Sequence, residues 1–230
     1  MSLFDLPRIP EAEVMEDSAE VEAYSSAAAQ AHLDKIDDTF VEHALRLVAG
    51  KERGRALDIG TGPGQIVLKL ARRLKLWKFV GIDRSANMIT QAEGNFAGTT
   101  EAAGRVDFHT ADGNRLAFPD ASFDLVMCNS VLHHLAEPRN LLAEMARVAK
   151  PNAAILLRDL RRPTRLAFPL HVRWHGRHYT GAMYKLYKDS VHAAYTPAEL
   201  KALLDASPIQ HARVFAHRAT HIGIERPAKT

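Results

Sequence analysis

Ten residues, Arg55-Ala56-Leu57-Asp58-Ile59-Gly60-Thr61-Gly62-Pro63-Gly64, constrain this chain more than any others. An apolar run ends in an acid, glycines follow at every second position, and Ile66, Val67, Leu70 and Leu74 then recur at helical spacing. Strand, glycine turn and helix in that order hold a nucleotide-like ligand at the carboxyl edge of an open α/β sheet. The dinucleotide fingerprint spaces its glycines G-x-G-x-x-G and binds pyrophosphate with free backbone N–H groups and a helix N-terminus. Here the spacing is G-x-G-x-G, Pro63 removes a donor, and Asp58 sets a negative charge beside the turn. A carboxylate there repels pyrophosphate and suits a ligand carrying an ammonium and a sulfonium. That points to S-adenosylmethionine (SAM) over NAD.

Acids and an amide recur at the later strand ends. Lys78–Asp83 reads as a second strand, and Asp83, roughly 20 residues past the turn, can accept both ribose hydroxyls. Ser85 is the expected N-cap of a helix over Ala86–Asn95. Val106–His109 is a third strand, followed by Ala111-Asp112-Gly113, where Asp112 can accept an adenine amino group or simply belong to an Asp-Gly turn. Phe123–Asn129 is a fourth strand, running into Ser130-Val131-Leu132-His133-His134-Leu135. In this order the segments resemble the class I SAM-dependent methyltransferases, particularly the branch named after ubiquinone and menaquinone biosynthesis. The resemblance covers residues 40–160 well and the rest in outline. It implies a cofactor site of Asp58, Gly60, Thr61, Gly62, Gly64, Asp83, Arg84, Met88, Asp112, Gly113 and Asn129, with Tyr24 closing over the methionine end.

The element order predicts an α/β fold: a mainly parallel, seven-stranded, doubly wound sheet with helices on both faces and a terminal antiparallel hairpin. Residues 1–50 are expected to form a helical arm or lid, irregular over Met1–Pro10 and mostly helical over Glu11–Gly50. Residues 51–230 form the SAM-binding domain, with 161–195 inserted as a substrate lid. Pro138 opens a helix that continues over Asn140–Lys150; Pro151-Asn152 ends it and Ala153–Asp159 is a fifth strand. Thr196, Pro197 and Glu199 spell a capped helix start. Gln210–Ala216 and Thr220–Ile224 are too closely joined to be other than antiparallel.

Composition excludes several function classes. A single cysteine rules out an internal disulfide framework and fits a reducing cytoplasm. No apolar run is long enough to cross a bilayer, so no membrane partner is expected. A net charge of +3 is too small to argue for nucleic acid, which is an unexpected partner here. The number of subunits is not legible. Asn129-Ser130-Val131-Leu132 departs from the Asp/Asn-Pro-Pro-aromatic motif of enzymes that methylate base amino groups, and Cys128 lies in an apolar strand without the setting of a cytosine-C5 nucleophile.

His134, and next to it His133, are the side chains near the expected methyl position suited to general-base work. Adjacent residues at a helix start diverge, so one at most faces the substrate; the pair can equally be structural. The 161–195 segment mixes arginines, histidines and aromatic rings, and Arg173, Trp174, His175, Tyr179 and Tyr195 are the candidate acceptor contacts. His171, His175 and His178 share one helical face, but Gly176 interrupts it and no carboxylate complements it, so no metal is expected. The expected activity is metal-independent methyl transfer to a small anionic or aromatic metabolite. The alternatives are an RNA-directed methyltransferase or RNA-binding module using the basic 158–192 segment, and a SAM-fold protein without transfer activity.

Overall fold

A computed structural model describes residues 4–11, 27–97 and 103–229. The chain begins with an arm without regular structure over 5–11 and a long helix α1 (Ala27–Leu47). It then alternates through β1 (Arg53–Ile59), α2 (Gln65–Arg73), β2 (Leu76–Asp83), α3 (Ala86–Phe96), β3 (Val106–Thr110), β4 (Phe123–Asn129), α4 (Pro138–Val148) and β5 (Ala149–Leu160). Helices α5 (Phe168–His175), α6 (Gly181–Ala193) and α7 (Pro197–Asp205) precede β6 (Arg213–His217) and β7 (His221–Arg226). The sheet order is β3-β2-β1-β4-β5-β7-β6, parallel except for β7, which runs antiparallel to both neighbours. The expected fold class is the observed one.

Strand order reverses between β1 and β4, and a crevice at such a point, outside the carboxyl ends, is where open α/β sheets bind ligands. The strands there are buried on both faces, so they read as continuous apolar runs: Ala56, Leu57 and Ile59 in β1, and all of Phe123–Cys128 except Asp124 in β4. One core layer packs β1, β4 and β5 against α4 and α7; the other packs α1, α2 and α3 on the opposite face.

Local signals held where the chemistry was local. Ser85 caps α3 by accepting from the Met88 N–H, and Thr196 with Glu199 completes a reciprocal capping box on α7. Most strand ends shift by one to three residues from expectation, and the largest difference lies between α4 and β5. Helix α4 stops at Val148, and β5 starts at Ala149 rather than Ala153. A register shift lets Phe123 pair with Ala149 and Leu125 with Ala154, so Pro151-Asn152 are accommodated inside an irregular strand. Among the described residues, no helix is long and apolar enough to cross a membrane. Of the expected lid helix, α1 is seen from Ala27; Tyr24 lies outside the described residues.

Candidate active site

A cavity of about 640 Å³ opens at the carboxyl ends of β1, β2 and β4. Its wall includes Gly60, Thr61, Gly62, Asp83, Arg84, Met88, Asp112, Gly113 and Asn129, so nine of the cofactor residues expected from sequence meet there. The turn after β1 is pinned from below: the N–H groups of Gly60 and Thr61 both donate to the Ile82 carbonyl, at 2.8 and 2.9 Å. It is pinned from the side by Asp83, whose carboxylate accepts from the Gly62 N–H at 2.9 Å and the Ser85 N–H at 2.9 Å. Asp112 is exposed and forms an Asx turn, accepting from the Asn114 backbone at 2.9 Å.

The glycines divide their work. All three adopt left-handed backbone, with φ of +73°, +53° and +79°. A Cβ on Gly62 would meet nothing within 4 Å, so Gly62 leaves open space beside the cavity. A Cβ on Gly60 would fall 2.2 Å from Val131, and one on Gly64 would fall 2.8 Å from the Phe108 ring. Gly64 is not on the cavity wall: its smallness serves packing of α2, which corrects the expectation that every glycine makes room for cofactor.

Asp58 also stands one residue behind the wall, 1% exposed, with the Thr61 hydroxyl beside its carboxylate and no cation among the groups that shift it. Burial, together with the charges of Asp37 and Asp83, pushes its pKa up to about 7. Asp37, on α1 and on the cavity wall, is raised to about 6, mainly by burial and despite the charges of Arg158 and Lys69. Sequence reasoning missed Asp37. The signal was present: it falls on the stripe of Ile36, Phe40, Val41 and Ala44 that α1 turns inward, and an acid on a buried stripe is the informative exception. Arg158 anchors the turn of α1 that carries it. Its guanidinium donates to the Asn129 Oδ1 at 3.0 Å, the Thr39 Oγ1 at 2.7 Å and the Ile36 carbonyl at 3.1 Å. It is 1% exposed, which takes it out of the basic surface segment assigned from sequence.

Beyond β4 the chain turns sharply, with Ser130 at φ +59°, a strained backbone for a residue with a side chain. A 3-10 turn over Leu132–His134 follows. His133 is buried; its Nδ1 lies 2.6 Å from an Asp159 carboxylate oxygen, and its backbone N–H donates to the other at 3.0 Å. Burial alone would raise Asp159, but His133, His134 and the Leu160 N–H hold it below the ordinary carboxyl range. The His134 ring stacks at 3.8 Å on that of His133 and its Nδ1 lies 3.6 Å from Glu11. Both residues are on the cavity wall. Arg8, in the arm, donates to the His133 and Ala193 carbonyls and lies over the Tyr195 ring at 4.4 Å.

The far wall comes from residues 174–190 and from the β6–β7 turn. Trp174, His175 and Tyr179 are on it; Arg173 points elsewhere and is exposed, and Tyr195 packs in the core. Burial lowers His175, and burial with Arg158 lowers His221 to about 3, so these wall imidazoles are neutral near neutrality. An isolated parallel bridge joins Arg161 to Tyr195 across the neck of the segment between β5 and α7. The His171 and His175 rings meet at 4.7 Å, but His178 does not complete a three-ligand group with them. Among the described residues the only three-ligand group is Glu11, His133 and His134, gathered to within 4.8 Å. Cys128 is fully buried and its thiol is pushed well up by burial, which removes it as a nucleophile.

Known proteins place this geometry in context. A family model described as a methyltransferase domain matches residues 57–157. The chain is 28% identical over 199 residues to the ubiquinone/menaquinone biosynthesis C-methyltransferase UbiE of Geobacter sulfurreducens, covering 82% of this chain and 76% of that one. It is 29% identical over 198 residues to the demethylmenaquinone methyltransferase of Thermus thermophilus, covering 80% and 88%. In fold it is similar to a SAM-dependent methyltransferase from Aquifex aeolicus, with a TM-score of 0.66 at 19% identity over 91% and 97% of the two chains. These likenesses support a SAM-dependent methyltransferase whose cofactor is S-adenosylmethionine and which is similar to the UbiE-like branch of class I.

Proposed function

We propose that the enzyme methylates a small anionic or aromatic metabolite without a metal, and that His133 accepts the acceptor's proton. The observation that carries this reading is the buried Asp159–His133 pair on the wall of the cavity that also holds the glycine turn. Asp159 holds one imidazole nitrogen and so fixes the ring, leaving the other to a substrate. His134, expected from sequence to be the better candidate, has Glu11 rather than a buried acid beside it. Residues 161–195 serve in this reading as the acceptor-side cover. Trp174, Tyr179 and Tyr187 offer rings, and Arg177 and Arg218 offer charge. The relatives' names, a ubiquinone/menaquinone biosynthesis C-methyltransferase and a demethylmenaquinone methyltransferase, make a carbon atom of demethylmenaquinone the first acceptor to test. The single buried cysteine accords with a cytoplasmic setting.

The residues around the glycine turn fit SAM. Asp58 is buried with no cation among the groups that shift it, and Asp37 keeps a raised pKa even beside Arg158, so a cationic ligand is what this corner lacks. When bound, SAM supplies an electrophilic methyl group on a sulfonium. The chain's own part is to align the acceptor with that methyl, exclude water and take the proton.

Two expected results test the reading. Purified protein given methyl-labelled SAM and fractionated cell extract should label an anionic or aromatic small molecule; label confined to RNA would overturn it. SAM affinity should also depend on pH. Both acids are charged above their raised pKa values and become neutral as pH falls through about 7 and then about 6. Calorimetry should therefore show affinity about tenfold weaker near pH 6 than near pH 8. The sign follows from the shifts. The empty fold takes up these protons more readily than the unfolded chain, so it loses stability as pH rises through those values, and a bound cation restores it. A flat pH dependence would remove both acids from the cofactor's charge balance.

A further inference from the structure

We infer that α5 and the turn before it form a docking surface for an anionic phospholipid bilayer. The described residues include six large exposed hydrophobic side chains, and four of them gather here: Phe4, Leu166, Leu170 and Trp174, at 58%, 74%, 71% and 62% exposure. The last three follow one another at four-residue intervals, which aligns successive helical residues on one side. Phe4 is tied in because its carbonyl accepts from the Arg165 N–H at 2.9 Å. Isolated exposed apolar residues need no explanation, but a gathered ridge does.

Charge selects the partner. From Leu160 through Lys188 the sequence holds no acid, and Arg165, Arg173 and Arg177 are exposed around the ridge. The Arg177 guanidinium stands 4.9 Å over the Trp174 ring and donates to the Trp174 carbonyl. An apolar ridge rimmed by cations is how an interfacial helix meets anionic lipid: side chains enter the acyl boundary while guanidinium groups stay among headgroups. A second copy of the same surface would bring arginines against arginines. RNA would require exposed rings for base stacking. Of this segment's aromatic residues only Trp174 is exposed; Tyr179 and Tyr195 are buried and Phe168, Tyr184 and Tyr187 are partly covered. Leucines contribute nothing to stacking. The expectation of no membrane partner rested on the lack of a spanning segment, which does not bear on surface docking. Trp174 and Arg177 also line the cavity, so the docked face would carry its mouth. The inference does not depend on which acceptor is methylated.

The test uses the full chain with vesicles of phosphatidylcholine alone and of phosphatidylcholine with phosphatidylglycerol. Partition onto the anionic vesicles should exceed that onto the neutral ones by at least about tenfold and weaken with salt. Only two tryptophans are present and Trp77 is fully buried, so a blue shift of emission on vesicle addition reports Trp174. The Leu166→Ser/Leu170→Ser variant should lose most of the partition while binding SAM normally, which checks its folding. A companion variant with Gln at Arg165 and Arg173 should lose the preference for anionic lipid. Equal binding to both vesicles, an unshifted Trp174, or partition unaltered in the leucine variant would overturn the proposal. So would an RNA complex or a dimer abolished by the same substitutions without any vesicle binding.

Discussion

Asp159→Asn should lower kcat by about 10²-fold or more while leaving SAM affinity nearly unchanged. The substitution keeps the shape of a group that accepts from the His133 N–H at 3.0 Å and the Leu160 N–H at 2.6 Å. What it removes is the negative charge 2.6 Å from the His133 ring. Asp159 acts through His133 and is a positioning residue; His133→Ala should produce a loss of the same order. The discriminating readout is the split between kcat and KM: loss of the charge beside His133 should lower kcat while leaving the acceptor's KM nearly unchanged. A purely structural role would raise KM and lower stability along with kcat. If neither substitution changes the rate, alignment and desolvation suffice for this acceptor and the base assignment fails.

The second large effect concerns Asp83. Asp83→Ala should weaken SAM binding by about 2–4 kcal/mol, through loss of charge-assisted acceptors for the ribose hydroxyls. Its two observed bonds, to the Gly62 and Ser85 N–H groups at 2.9 Å each, enlarge the expected consequence beyond the ligand. A strand-end acid that served the ligand alone would leave folding nearly unaffected by its loss. In the structure Asp83 is half-buried and clamps the glycine turn to the start of α3, so unfolding free energy should fall by about 1–3 kcal/mol as well. Calorimetry and denaturant unfolding separate the two quantities. Wild-type SAM affinity in this variant would place the ribose acceptor elsewhere.

How much of this was legible in the chain depended on how local the cause was. Strand β4 was read to the residue because Phe123–Asn129 is apolar, short and followed by a polar turn, and the α3 and α7 caps were read because each is made by neighbours. The start of β5 was misread because Pro151 is a local breaker, whereas the register shift that tolerates it belongs to the pairing with β4. Arg158 was assigned to a surface by composition, yet strand alternation turns it inward to three partners on α1 and β4. Asp159 ended the predicted strand without a role, since nothing in sequence brings it to His133 across 26 positions. Asp37 was overlooked because its neighbours Asp34 and Asp38 make the stretch look like an ordinary solvated helix face.

The Gly60–Val131 contact sets a practical limit on redesign. A methyl-sized addition at residue 60 would overlap Val131 by well over a bond radius, and Val131 itself lies on the cavity wall. The glycine turn and the turn after β4 therefore share one surface with no slack. Shortening the side chain at 131 gives up packing against the core, and any enlargement there pushes directly on the backbone of the glycine turn. Ala at 60 would gain space only in a partner with a smaller residue at 131, and would still meet the left-handed backbone at φ +73°. Positions 60 and 131 should be varied as a linked pair, and so should 176 and 187 at the far wall, where a Cβ on Gly176 would fall 2.9 Å from the Tyr187 ring.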